Sequence, residues 1–209
     1  MSTSIRNPVA PINRGQFYDK LRAGKLFNGK ILKGQLAGIE AILNEWERQK
    51  LTDRRWLAYM IATAFHETCG TMQPVEERGK GAGHDYGKKL KMGGGVGKRV
   101  PYTKPDKLYY GRGLVQLTWF ENYELMGRLL ELDLLNHPEL ALVMDVSVRI
   151  MFEGMLKAVS SFGDFTGRSL EQYFTSTHED WTNARKIING LDRAPLIAGY
   201  GQQIFSAVA

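Results

Sequence analysis

The sequence contains a single cysteine, Cys69, in 209 residues. No internal disulfide can staple such a chain, so its fold depends on packing and is compatible with synthesis in a reducing cytosol. Long apolar runs are also missing. The longest mostly apolar stretch, Trp56 to Phe65, is too short to cross a bilayer and runs directly into His66 and Glu67. Met1 to Asn13 carries one arginine and two prolines without a continuous apolar segment, which does not read as a secretory signal. No fixed-period repeat or sustained heptad pattern is present, which excludes solenoids and long coiled coils.

Two motifs begin and fail. His66-Glu67-Thr68-Cys69-Gly70 opens like a zinc-protease helix, but Gly70 stands where the second histidine belongs, leaving only His66, Cys69 and His84 as a weak ligand set. Gly93 to Lys98 resembles a phosphate loop, yet Met92 replaces its first glycine and Arg99 its final hydroxyl residue. Cys69 has no distant His-Asn pattern to activate it, and a lone cysteine of this kind reads as a small buried residue. No metal or cofactor is expected.

Apolar residues make up 43% of the chain and charged ones 24%. Those fractions suit a folded globular protein, and without an obvious linker the expectation is one domain over residues 1–209. The formal net charge is +6 and the isoelectric point about 9.4. Such a surplus favours polyanions: nucleic acid, anionic lipid or an acidic cell envelope. No nucleic-acid motif accompanies it.

Helical periodicity dominates. Leu36, Ile39, Ile42, Leu43 and Trp46 predict an amphipathic helix over about Lys33 to Gln49. Thr52 fits the cap of a second helix through Trp56, Leu57, Met60, Ile61, Ala64 and Phe65, with Glu67 at its C-terminal end. From Gly79 to Lys98 the chain turns to glycine, lysine and isolated polar residues, the signature of a long mobile loop. After an extended segment from Leu108 to Leu117, Thr118 and Glu121 fit a capping box. Pro138 suits a short helical turn, Val146 to Val159 a buried helix, and the groups around Trp181 to Ile188 and Leu196 to Phe205 two more.

Glu67 is the residue with chemical promise. Partial burial and the negative end of its helix both disfavour an ionised carboxylate there, which suits a general acid. Glu76 and Glu77 follow closely enough for either to face it. Two unequal carboxylates are what glycoside hydrolysis requires: one protonates the leaving oxygen while the other activates water or stabilises positive charge on the sugar.

Several motifs extend this pattern: His66-Glu67-Thr68; Tyr109-Tyr110-Gly111-Arg112-Gly113; Gln116-Leu117-Thr118; Asn122-Tyr123; Asp133 through Leu140; and Ile187-Ile188-Asn189-Gly190. Together they resemble glycoside hydrolase family 19, from about Gly34 to the C-terminus. Residues 1–30 form a less clearly matched N-terminal arm. The stretch Thr71 to Val75 is closer to the compact phage-endolysin branch than to plant chitinases. Cys69 interrupts the plant Thr-Gly-Gly pattern, and the second-acid loop is short.

The resemblance implies a mainly α, lysozyme-like helical fold with a substrate groove bordered by the long Gly/Lys-rich loop. It also implies inverting hydrolysis of β-1,4-linked N-acetylhexosamine polymers without a metal. Glu67 takes the role of acid and Glu77 that of base, with Glu76 and Asp85 as alternatives, and Thr118 helps to hold the attacking water. His66, Tyr110, Gln116, Asn122 and Asn189 are the expected sugar contacts. Local alternatives stand beside these roles: Thr118 also fits a helix cap, Asn189 a helix end and Tyr110 simple packing.

The endolysin likeness points to the peptidoglycan glycan strand as substrate and partner, for a monomer accumulating in a host cytoplasm and released through a holin. Neither nucleic-acid binding nor stable membrane insertion is expected. A chitinase and a noncatalytic wall-binding protein are the rival expectations.

Overall fold

The computed structural model describes residues 11–94, 97–156 and 165–208. Its fold is mainly helical, as expected. Helices α1 (Arg14–Ala23), α2 (Lys33–Arg48) and α3 (Arg54–Glu67) come first. Then follow α4 (Phe120–Leu130), α5 (Met144–Met155), α6 (Leu170–Tyr173) and α7 (Ala194–Val208). Strands β1 (Val75–Glu76), β2 (Leu90–Met92), β3 (Arg99–Pro101) and β4 (Arg112–Gly113) lie between α3 and α4. Among the described residues no helix is long and apolar enough to cross a membrane.

Helix α3 is the spine. Every residue from Leu57 to Ala64 is buried, and the helix packs along α7, so its apolar residues have cover on all sides. Its N-terminal cap is Asp53 rather than the expected Thr52: the Asp53 carboxylate accepts the Arg55 backbone N–H at 3.0 Å and also grips the Arg55 guanidinium. The N-terminal arm joins the core from α1 onward. Phe17, Tyr18 and Leu21 are buried, while Arg14 and the Tyr18 hydroxyl bind Glu40 on α2. Residues 1–10 lie outside the described part.

The strands form two separate antiparallel pairs. β1 pairs with β4, setting Val75 opposite Gly113 and Glu76 opposite Arg112, and β2 pairs with β3 as a hairpin. Within the stretch expected to form a long mobile loop, Gly79–Lys98, residues Leu90–Met92 form the first strand of that hairpin. Turns closed by Ala82 N–H to Gly79 O and His84 N–H to Gly81 O lead into a 3-10 turn at Asp85–Gly87 and then into β2. Glycine density marked tight turns here, not the lack of them.

Three other expectations change. The Thr118–Glu121 capping box does not form; α4 begins after Trp119 with no side-chain cap, because Glu121 is paired with Arg99 instead. The segment near Trp181 to Ile188 yields only a 3-10 turn, Asn183–Ile187. Asp180 anchors its start by accepting the Asn183 N–H at 2.9 Å, and Gly190 at φ 47° turns the chain away soon after, leaving no room for a longer helix. Helix α5 begins at Met144 and ends at Met155; Val159, the expected end, lies outside the described residues.

Candidate active site

A cavity of about 560 Å³ opens where α3, the β1–β4 pair, the β2–β3 hairpin and the 3-10 turn before α7 converge. Glu67, Glu77, Gln116, Thr118, Asn122 and Asn189 all line it. Six side chains from segments far apart in sequence therefore meet at one surface.

Glu67 sits on the last residue of α3, where the unpaired helix carbonyls concentrate negative charge. Its carboxylate does not stand alone there. Arg185, 2% exposed, donates from Nη1 to Glu67 Oε1 at 2.5 Å, and its Nε donates to Asp192 O at 3.0 Å. Partial burial at the end of an apolar helix was legible in the sequence and this cation was not, since Arg185 lies beside Lys186 and looks like one of two solvated charges. The buried pair sets the Glu67 carboxylate in one orientation. Asp180, which anchors the turn carrying Arg185, is held below the usual carboxylate range by the backbone N–H and side chain of Asn183.

The second carboxylate is positioned through α2. At Gly38 an added Cβ would fall 1.8 Å from the Met72 carbonyl oxygen, so only glycine lets the chain after α3 lie this close to the helix. Gln35 Nε2 donates to Gly70 O at 2.8 Å and Gln73 Nε2 to Gly34 O at 2.6 Å, completing the clamp. The clamped segment leads into β1 and delivers two adjacent glutamates facing different surroundings.

Glu77 lines the cavity. Its Oε2 accepts the Gly111 N–H at 2.9 Å and its Oε1 accepts the Tyr86 hydroxyl at 2.9 Å. A Cβ at Gly111 would come within 2.6 Å of Gln116 Oε1 and 3.3 Å of Glu77 Oε2, so the glycine of the Tyr-Gly-Arg-Gly motif makes room for both. Burial and the hydrogen bond to Glu77 push the Tyr86 hydroxyl up to about 12, which keeps it a proton donor at neutral pH.

Glu76 does not line the cavity. It accepts the Tyr110 hydroxyl at 2.5 Å, with Arg112 Nε 3.8 Å away. Tyr110 is likewise absent from the lining: its buried ring lies beneath the Arg112 guanidinium at 3.7 Å, and burial and Glu76 raise its hydroxyl. Asp85 is exposed and paired with Lys88 at 2.7 Å. His66 also stays outside, half-buried on α3, where burial lowers its ring more than neighbouring Glu67 raises it. Cys69 is exposed rather than buried, and His84 stacks on Tyr86 at 4.9 Å between ring centroids.

Gln116 braces the site from φ 52°, donating through Nε2 to Val75 O at 3.0 Å and Gly113 O at 3.2 Å. The remaining lining includes Tyr86, Met92, Arg99, Trp119, Glu121 and Phe165, none of which the motifs picked out. Arg99 lies 3.5 Å from the Trp119 ring centroid, and Tyr86 meets the same ring edge-on. Aromatic residues standing alone in a glycine- and lysine-rich stretch, as Tyr86 does, were the available signal, because such a stretch has no core for them to fill.

Known proteins bear on this arrangement. The class I chitinase model of glycoside hydrolase family 19 matches residues 47–158, a span containing Glu67, Glu77, Gln116, Thr118 and Asn122 but neither Arg185 nor Asn189. Endochitinase 2 of Gossypium hirsutum is 36% identical over 92 residues, covering 43% of this chain and 30% of that protein. Basic endochitinase CHB4 of Brassica napus is 40% identical over 87 residues, 42% of this chain and 29% of that one. A protein named inactive chitinase-like protein 1 in Hevea brasiliensis is 34% identical over 91 residues, 43% and 29% respectively. The match thus spans less than a third of the length of these curated relatives. With the family model covering more than half of its residues, the chain belongs to glycoside hydrolase family 19.

Proposed function

We propose that the protein hydrolyses β-1,4-linked N-acetylhexosamine glycans by acid–base catalysis, with Glu67 as acid and Glu77 as base. The observation that carries this reading is that Glu67 and Glu77 line one cavity, whereas Glu76 and Asp85 do not. Glu67, oriented by Arg185, donates a proton to the glycosidic oxygen as the bond breaks. Glu77, held by the Gly111 N–H and the Tyr86 hydroxyl, takes a proton from the water that attacks the sugar carbon. Thr118 offers that water a hydroxyl partner, and Gln116, Asn122 and Asn189 offer amide groups to the sugars.

Chitin is the first substrate in this reading, because the similar plant proteins are named endochitinases. The backbone of bacterial peptidoglycan, cut by an enzyme of the phage-endolysin kind, is the second. The net charge of +6 favours it, since chitin is neutral and peptidoglycan is not.

The test is to incubate wild type, Glu67→Gln and Glu77→Gln with glycol chitin and with purified sacculi. New reducing ends, their anomeric form by NMR and the released sugars by mass spectrometry would be measured. The reading requires hydrolysis of at least one polymer by the wild type and its loss in Glu67→Gln. A wild type that binds both polymers and cuts neither would make the protein a glycan-binding module.

A further inference from the structure

The net positive charge of this protein is concentrated in one segment of its sequence. Residues 79–107 carry eight lysines and arginines against Asp85 and Asp106, a surplus of six that equals the net charge of the entire chain. Everything outside that segment balances. The segment also reaches the cavity, contributing Tyr86, Met92 and Arg99 to its lining.

Most anions nearby are already engaged. Asp85 pairs with Lys88, Asp106 with Lys89, and Glu121 with Arg99. Lys80 stands 3.9 Å from Glu76. Among the described residues the side chains of Lys98, Lys104 and Lys107 have neither an ion pair nor a hydrogen bond, though Lys104 and Lys107 add to the positive field on Asp106, and all three are exposed. Concentrating like charge in this way carries a self-repulsion that a bound anion relieves.

We propose that residues 79–94 and 97–107 form a cationic rim that selects glycan strands bearing carboxylate substituents over neutral ones, with the exposed Lys98, Lys104 and Lys107 as its contacts. The inference rests on the reading of the adjoining cavity as a glycan-hydrolysing site. A neutral β-1,4-linked strand gains nothing from these lysines. A strand with carboxylates along its length meets them while its backbone lies at Glu67 and Glu77. The continuity of rim and cavity favours a glycan over a nucleic acid, which would need the charge but not the cavity.

The experiment compares carboxymethyl chitin with glycol chitin, two polymers that share a backbone and differ in charge. It uses the full chain and the triple variant Lys98→Gln/Lys104→Gln/Lys107→Gln. Turnover is read as KM and kcat, and binding is read independently by affinity electrophoresis in gels containing either polymer.

Wild type should show a KM about tenfold lower for carboxymethyl chitin at about 0.1 M salt. The difference should disappear near 1 M, where the screening length falls from about 10 Å to about 3 Å. The variant should lose most of that preference while kcat and the glycol chitin values hold. Equal affinity of wild type for the two polymers, or a variant that weakens both alike, would overturn the rim. So would a DNA duplex that competes as well as carboxymethyl chitin at equal charge concentration. Charge-selective binding without hydrolysis of either polymer would instead refute the hydrolase reading and leave the rim standing.

Discussion

Arg185 and Glu67 lie 118 residues apart in sequence and 2.5 Å apart in space, a buried guanidinium against the carboxylate that closes α3. Removing one partner of such a pair strands the other charge away from water. Arg185→Ala is therefore expected to lower stability by about 3 kcal/mol in urea denaturation and to reduce kcat as Glu67 loses its orientation. Arg185→Lys keeps the charge but not the second contact to Asp192 O, and should fall between. Unchanged stability in the alanine variant would show that the pair contributes nothing.

Glu76, which ends β1, and its neighbour Glu77 should separate cleanly in kinetics. Glu77→Gln is expected to lower kcat by about 10²- to 10⁴-fold, the range of general-base catalysis. Glu76→Gln, which removes the charge facing the Tyr110 hydroxyl and Arg112 and so weakens both contacts, should act mainly on stability, and Asp85→Asn on neither. Initial rates on glycol chitin decide it. A larger loss in Glu76→Gln than in Glu77→Gln would reassign the base.

Tyr86→Phe removes one of the two hydrogen bonds to Glu77 and leaves the ring against Trp119. The expected loss is about 1 kcal/mol, close to a sixfold fall in kcat, with little change in melting temperature. A variant that melts well below wild type would mean that Tyr86 serves packing first.

Much of this was legible in the sequence, and the failures share a cause. The apolar rhythm of Leu36 to Trp46 and of Trp56 to Phe65 found α2 and α3 within a residue or two, because a face that must be buried shows in its spacing. The motif residues Glu67, Glu77, Gln116, Thr118, Asn122 and Asn189 were found through family likeness, and the structure brings them to one cavity. Arg185, Arg99 and Trp119 were missed because what matters in them is a partner from a distant segment, and no local spacing encodes that. Tyr110 and His66 were misplaced relative to the cavity for a related reason. Proximity in sequence to Gly111 and Glu67 does not say to which side a ring turns.

Gly38→Ala tests the clamp between α2 and the segment leading to β1. A methyl 1.8 Å from the Met72 carbonyl cannot be accommodated without moving one backbone or the other. A stability loss of about 3 kcal/mol is expected, at the upper end of overpacking effects, together with a fall in kcat as Glu77 is displaced. Thermal melts and rates measured on the same preparation check both. An alanine variant as stable and active as wild type would mean that the close approach does no positioning.

His66 sets a pH dependence. Its folded value lies below the ordinary 6.5 chiefly through burial, so the unfolded chain takes up the proton first. The sign follows: this histidine's contribution to stability is complete above about 6.5 and declines as pH falls through and below that value. His66→Gln should flatten the acid side of the stability profile in urea titrations, and the ring should titrate below 6.5 by NMR. A ring titrating above 6.5 would reverse the sign.

The hairpin of β2 and β3 pairs only with itself, while the backbone around Glu77 is bonded to β4. Glu67 on α3 and Glu77 just after β1 are therefore held by elements other than the strand pair that forms this edge of the cavity, a modular arrangement. Insertions or deletions at the hairpin's turn can lengthen, shorten or recharge the wall that substrates meet without transmitting strain to the reacting groups. Grafted hairpins would change the face that a polymer meets and leave Glu67 and Glu77 in place.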